Sequence, residues 1–203
     1  MVRKIVIGLF VMALLVAAGV AVGVYYRTHR YDSLIAQIAP KYKLDPALVK
    51  AVIYEESWFD PEAHSSQNAI GLMQITAIAA QEWLDSTRAR NFKEALTTIT
   101  NDYQSSKTVA IEEALTNPTV NLHIGCWYLQ SLIGRYRNKP SPLTVALAAY
   151  NAGPGNVERW TNDEELSRLS RDEFIARIEF PVTRNYVQKI LGRYQDYKGM
   201  ESI

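Results

Sequence analysis

From Ile5 to Tyr26 the chain carries no charged side chain, and this run limits what it can fold into more than any other segment. At 1.5 Å of rise per residue, about 22 residues of helix are enough to cross the hydrocarbon of a bilayer. Arg3 and Lys4 precede the run, and Arg27, His29 and Arg30 follow it. A cleavable secretory signal has an apolar core of only about 7–15 residues, so the run reads as an uncleaved signal anchor. Gly19, Ala21 and Gly23 keep signal cleavage open as the alternative, and basic residues on both flanks weaken any argument about orientation. The predicted division is an anchor with a short linker over 1–30 and a folded domain over 31–203. Residues 27 to 31, acting as linker, span at most about 18 Å when extended.

With 203 residues, 48% of them hydrophobic, the chain has room for one domain with a proper core beyond the anchor. Residues 1–30 hold four of the 22 Lys and Arg and no acid, so the remainder sets 18 bases against 21 acids, a formal −3. That balance offers nothing to nucleic acid. Cys126 is the only cysteine, which excludes an internal disulfide and a cysteine metal cluster. It reads as core. His64 has no second His at ligand spacing and reads as a solvated loop residue, so no metal site is expected.

The informative stretch is 45–76, DPALVKAVIYEESWFDPEAHSSQNAIGLMQIT. Asp45 followed by Pro46 is a strong helix start, because the Asp side chain takes an orphan N–H and Pro fits the first turn. The predicted helix runs from Pro46 to Trp58. At roughly 100° per residue, Leu48, Val49, Val52 and Ile53 form an apolar stripe with Glu56 near its centre and Glu55 well to its side. An inward carboxylate at a helix end is either paired or kept protonated by desolvation, which moves its pKa toward the range of a general acid. Position alone leaves both readings open.

The rest of the chain reads as more helices. Asp32 is the expected cap of a first helix, SLIAQIAPKY, with Leu34, Ile35, Ile38 and Ala39 buried. Thr76 caps AIAAQEWL, and Asn117–Pro118 opens a long helix to Tyr136 whose inner face carries Asn121, Ile124, Gly125, Tyr128 and Leu132. Ser141–Pro142 starts LTVALAAYN, with Leu143, Leu147 and Tyr150 on one face and a stop at Gly153. Asn156 is the expected cap of the next segment. Ser170 and Glu173 make a capping-box pattern, and Thr183 begins a last helix with Tyr186, Val187, Ile190, Leu191, Tyr194 and Tyr197 as its stripe. Residues 85–116 read as a peripheral insertion shaping one end of a groove.

Several of these pieces coincide with one family. EES at 55–57, Ser65 and NAIGLMQ at 68–74 resemble the catalytic core of lytic transglycosylases with a lysozyme-like domain. NLHIGCWYL at 121–129 is similar to that family's Asn-x-x-x-Gly-x-x-Tyr-Leu helix, and AYNAGPGNV at 149–157 is a further specific match. IEFPVTRNYV at 178–187 resembles the closing motif, except that Val182 and Ala176 stand where acids are common, with Glu179 as a candidate substitute.

The resemblance implies a mainly α-helical, lysozyme-like domain with a substrate groove, working as a monomer without cofactor. It implies cleavage of the β-1,4 bond between N-acetylmuramic acid and N-acetylglucosamine in peptidoglycan glycan strands, with a 1,6-anhydromuramoyl product. Glu56 would be the single acid/base. Ser65, Gln74, Tyr150 and Asn151 would position the sugar, Tyr186 would line the groove, and Ser57 and Gly71 would support it. The expected setting is a single pass through the inner membrane with the domain on its outer side, or secretion after signal cleavage. Two other readings use the same residues: a muramidase hydrolase like the goose-type lysozymes, and a catalytically silent peptidoglycan-binding module.

Overall fold

The uncharged run forms the middle of α1 (Val2–His29), whose residues 6 to 26 are all exposed. The computed structural model describes residues 2–100, 110–160 and 163–201. The expected linker is largely helical instead, because no Gly or Pro stands between Val24 and Ala39 to end the helix. The Thr28 hydroxyl donates back to the Val24 carbonyl at 2.9 Å, and the His29 ring stacks on Tyr25 at 4.1 Å. Only Arg30 and Tyr31 turn the chain into α2 (Asp32–Ile38). Asp32 is therefore the first helical residue and not the cap. Its carboxylate lies 2.7 Å from Lys50 Nζ.

A 3-10 turn at Ala39–Tyr42, with Pro40 in its first turn, leads to α3 (Pro46–Ser57). Asp45 caps α3 by accepting from the Ala47 N–H at 2.9 Å. Val49, Ala51, Val52 and Ile53 are fully buried, so the stripe predicted for this helix faces the core. Its main neighbour is α12 (Pro181–Glu201), and α2 covers another side.

Between them lie α4 (Ala77–Ser86), capped by Thr76, then α5 (Phe92–Thr97) and α6 (Ile111–Leu115). Phe92, Ala95, Leu96, Ala114 and Leu115 are buried in the common core. Residues 85–116 are thus built into the domain more firmly than a peripheral insertion, and none of their described residues lines the groove around Glu56. The turn-like NDYQSSKT at 101–108 lies outside the described residues.

The long helix is α7 (Pro118–Arg135), capped by Asn117, whose Oδ1 accepts from the Thr119 N–H at 2.9 Å. It packs on α8 (Pro142–Ala152), in which Thr144 through Ala149 are all buried while Leu143 and Tyr150 are only partly covered. A one-sided stripe underestimates α8. Its Val-Ala-Leu-Ala-Ala run is apolar on every side, as a helix surrounded by α7, α9 and α12 requires.

The chain then forms α9 (Pro154–Trp160), α10 (Asp163–Leu166) and α11 (Arg171–Arg177). Asn156 sits inside α9, which begins at Pro154, so it caps nothing. Its side-chain amide donates to the Ala152 carbonyl at 2.6 Å. Ser170 and Glu173 complete the capping box on α11. The last helix starts at Pro181, two residues before Thr183, because the proline ring suits the first helical turn. Among the described residues there is no strand. Two isolated bridges, His64 to Ile70 and Ile70 to Ile75, close the loop after α3.

Candidate active site

The chain leaves α3 through two residues in the left-handed region, Trp58 (φ 49°) and Phe59 (φ 62°), and folds back so that residues 69–75 run beneath the end of that helix. Buried Asn121 of α7 organises the return. Its Oδ1 accepts the Met73 N–H at 2.7 Å, and its Nδ2 donates to the Ile70 and Leu115 carbonyls, both at 2.8 Å. Gly71 (φ 80°) passes so close that a β-carbon would overlap the Asn121 amide. A β-carbon on Gly125 would likewise overlap Met73. The Ser57 hydroxyl donates to the Leu72 carbonyl at 2.9 Å and so ties the end of α3 to the same loop.

Above this support lies a groove of about 720 Å³. Glu56, Ser65, Gln74, Tyr150 and Asn151 all line it, together with Ser66, Gln67, Phe180, Val182 and Thr183. A smaller hollow of about 230 Å³ adjoins it, lined by Glu55, Asn185, Tyr186 and Lys189, and shares Glu56, Asn151 and Val182 with the groove. Glu56 therefore stands where the two hollows meet.

The Tyr186 hydroxyl donates to Glu56 Oε1 at 2.5 Å. Burial raises the Glu56 pKa to about 7, the Tyr186 hydrogen bond pulls it part of the way back, and the neighbouring Glu55 charge pushes it up. A carboxyl poised at that value holds a proton to give and, once ionised, accepts one at neutral pH. The adjacent acid is in a different state. Glu55 receives the Arg193 guanidinium, with Nη2 at 2.9 Å and Nε at 3.2 Å, and has Lys189 at 3.7 Å. Among the described residues it is the only other carboxylate on either hollow.

The remaining groups are set by local bonds. Gln74 (φ 48°) uses its side-chain nitrogen on the Ala63 and Gly71 carbonyls, at 3.0 and 3.1 Å, which leaves its amide oxygen as an acceptor at the groove. Ser65 Oγ accepts the Gln67 and Ala69 N–H groups at 3.2 and 3.0 Å, so its own proton remains to donate. The Tyr150 hydroxyl donates to the Met73 carbonyl at 2.8 Å, and burial beside Glu56 holds that phenol well above its ordinary pKa.

Sequence reasoning missed Thr183. It is buried, and its hydroxyl donates to Asn151 Oδ1 at 2.7 Å, fixing the amide that faces the groove. The only signal for it was its place in the IEFPVTRNYV motif. Asn121 was visible as an amide on an apolar face, yet its role needs the 48-residue separation from Met73 to be closed. At the two departures, Val182 is exposed on the rim, while Ala176 and Glu179 are exposed and line neither hollow.

His123 is buried against Tyr42, with 2.8 Å from the tyrosine hydroxyl to Nδ1, and burial lowers its pKa to about 4. Cys126 is fully buried and its thiol is pushed up to about 12, which makes it inert. Among the described residues no cluster of His, Cys, Asp and Glu could hold a metal ion.

An all-helical domain with one protonatable glutamate in a polar groove is the lysozyme-like arrangement, and comparison with known proteins gives the same result. Residues 33–168 match the model of the transglycosylase SLT domain. The chain belongs to that family. It is similar to a putative soluble lytic murein transglycosylase of Haemophilus influenzae, 34% identical over 142 residues, which covers 70% of this chain and 20% of that protein. It is 28% identical to membrane-bound lytic murein transglycosylase F of Desulfosudis oleivorans, over 89% of this chain and 39% of that one. Among solved structures, an inactive mutant of the lytic transglycosylase Slt from Pseudomonas aeruginosa superposes with a TM-score of 0.66 at 26% identity. That match covers 86% of this chain and 25% of the other. The chain thus spans less than half the length of these relatives. The matched family segment ends before α12, so Tyr186 lies outside it.

Proposed function

We propose that this chain is a membrane-anchored peptidoglycan lytic transglycosylase with Glu56 as its single acid/base. The observation that carries the reading is the contrast where groove and hollow meet: burial pushes the Glu56 pKa up to about 7, and Glu55, the only other carboxylate among the described residues that line them, is tied up by Arg193 and Lys189. Ordinary glycosidases need two working carboxyl groups, one as acid and one as base or nucleophile. With only one available, a route in which the substrate supplies the nucleophile needs no second protein carboxylate.

Glu56 first gives its proton to the oxygen of the β-1,4 bond between N-acetylmuramic acid and N-acetylglucosamine. The electron pair of the broken C–O bond leaves with the N-acetylglucosamine hydroxyl, and the substrate's acetamido oxygen stabilises the positive anomeric carbon. The ionised Glu56 then takes the proton of the muramoyl 6-hydroxyl as that oxygen bonds to its own anomeric carbon. This closes the 1,6-anhydro ring and returns the protonated acid. Tyr186 holds the carboxyl in place through both steps. The Gln74 oxygen, the Ser65 hydroxyl and the Asn151 amide offer an acceptor and donors for the acetamido group, and Tyr150 forms the floor.

Both walls of the groove come from one chain, which supports a catalytic domain that works as a monomer. The exposed α1 and the membrane-bound relatives support a single pass through the inner membrane, with residues 1–30 as anchor and 31–203 as the domain on the outer side. Mass spectrometry of digested peptidoglycan tests the reaction. The proposal expects muropeptides lighter by one water than hydrolysed ones. Reducing muramic acid ends identify a hydrolase instead, and binding without cleavage identifies a silent module.

A further inference from the structure

Arg27 in the last turn of α1 and Arg30 just past its end reach the turn that follows Glu56. Arg27 Nε donates to the Trp58 carbonyl at 2.7 Å, its Nη2 lies 3.5 Å from Asp60 Oδ2, and its guanidinium covers the Trp58 ring at 4.2 Å from the centroid. Arg30 donates to the Phe59 carbonyl. Trp58 and Phe59 are the two consecutive left-handed residues at the exit of α3, a conformation that bulky side chains keep only where their surroundings hold it. One of their carbonyls is taken by α1 and the other by the residue that follows it. The clamp also spans the Arg30–Tyr31 turn, the one break between α1 and the domain, while the Lys50–Asp32 pair ties α3 to α2.

Resting on the reading of α1 as an anchor, we propose that anchor and catalytic domain form one rigid unit. Arg27 and Arg30 act in it as positioning residues that hold Glu56 at a fixed height above the bilayer, so the enzyme acts on glycan strands tethered in the same membrane. The covalent path sets an upper limit to that height. Four steps of helical rise, about 6 Å, lead from Tyr26 to Arg30, and three peptide units, at most about 11 Å, separate Phe59 from Glu56. With the arginine side chain between them, Glu56 lies no farther than about 25 Å from the end of the uncharged run. A domain on a loose tether samples a wide shell of space. A clamped one concentrates its groove at one height and raises the effective concentration of substrate fixed to the same surface.

The test uses the full chain in phospholipid vesicles. For the distance, a donor fluorophore is placed on Gln67→Cys and acceptors in the lipid, since buried Cys126 does not label. Cleavage is measured on unlabelled protein, with glycan strands lipid-anchored in the same vesicles and with free strands in solution. The wild type is expected to give one narrow distance. Arg27→Gln/Arg30→Gln with a flexible Gly-Ser insertion after Arg30 is expected to give a broad distance distribution, and its ratio of tethered-strand to free-strand cleavage is expected to fall by about tenfold. A ratio within twofold of the wild type, an unchanged distance, or equal loss on both substrates overturns the proposal. The last result would mean that the arginines only stabilise the fold. A wild type that cuts neither tethered nor free strands contradicts the transglycosylase reading itself, and a wild type recovered without α1 contradicts the anchor.

Discussion

On one wall of the groove, residues 57–74, the polar groups are locked by one another. Asn121 holds Ile70, Met73 and Leu115, Ser57 holds Leu72, and Gln74 holds Ala63 and Gly71. On the facing wall, Phe180 to Tyr186, only Thr183 and Tyr186 reach across, one to Asn151 and the other to Glu56, while Val182 is 77% exposed. The first wall is preorganised and resists change. The second adjusts the acid through a single hydrogen bond and tolerates substitution at its rim. This difference explains how the closing motif can depart from its family pattern at Val182 while the contacts around Glu56 stay intact, and the departure at Ala176 lies off both walls.

The largest expected effect falls where the walls meet. Glu56→Gln should lower glycan-strand cleavage by about 10³-fold or more without unfolding the domain, as measured by product release and circular dichroism. It should also change stability with pH. The folded pKa of about 7 lies above the ordinary 4.5, so between those values the folded state binds more proton than the unfolded one, and the wild type loses stability as pH rises through that window. The glutamine variant lacks that loss. It should match the wild type below pH 4.5 and exceed it by about 3 kcal/mol above pH 7 in urea melts.

On the locked wall, Asn121→Ala strands the Met73 N–H and the Leu115 carbonyl in the core, while the Ile70 carbonyl keeps the Ile75 N–H, and it should cost about 3 kcal/mol in the same melts. On the adjusting wall, Tyr186→Phe removes the bond that lowers the Glu56 pKa. The alkaline limb of kcat/KM should therefore move to higher pH than in the wild type. A limb that moves down would reverse the assigned role of Tyr186. The smallest effect belongs to the rim: Val182→Ala should change stability by no more than about 0.5 kcal/mol. A large loss there would show that both walls are locked.

What the sequence disclosed was mostly local. Asp45–Pro46, Asn117–Pro118 and Ser170–Glu173 mark helix starts through bonds that close within three residues, and the helical period was enough to aim Glu56 inward. The family motifs then gathered Ser65, Gln74, Tyr150 and Asn151 onto one groove. What stayed hidden depends on contacts between distant parts of the chain. Tyr186 meets Glu56 across 130 residues and Arg193 meets Glu55 across 138, and no local pattern announces such pairs. The same holds for α8, whose apolar run reads as one-sided until α7, α9 and α12 are seen around it. The continuous α1 was obscured for a different reason: charge after Tyr26 suggests a linker, although nothing there breaks a helix.

The central claim is that a single carboxyl, raised by burial and restrained by Tyr186, carries the proton in both directions. Carboxyl-carbon NMR titration of the full chain, assigned by comparison with Glu56→Gln, reads that group directly. The account predicts one glutamate titrating near pH 7 in the wild type and absent from the variant. A Glu56 carboxyl that titrates at its ordinary 4.5 would contradict it.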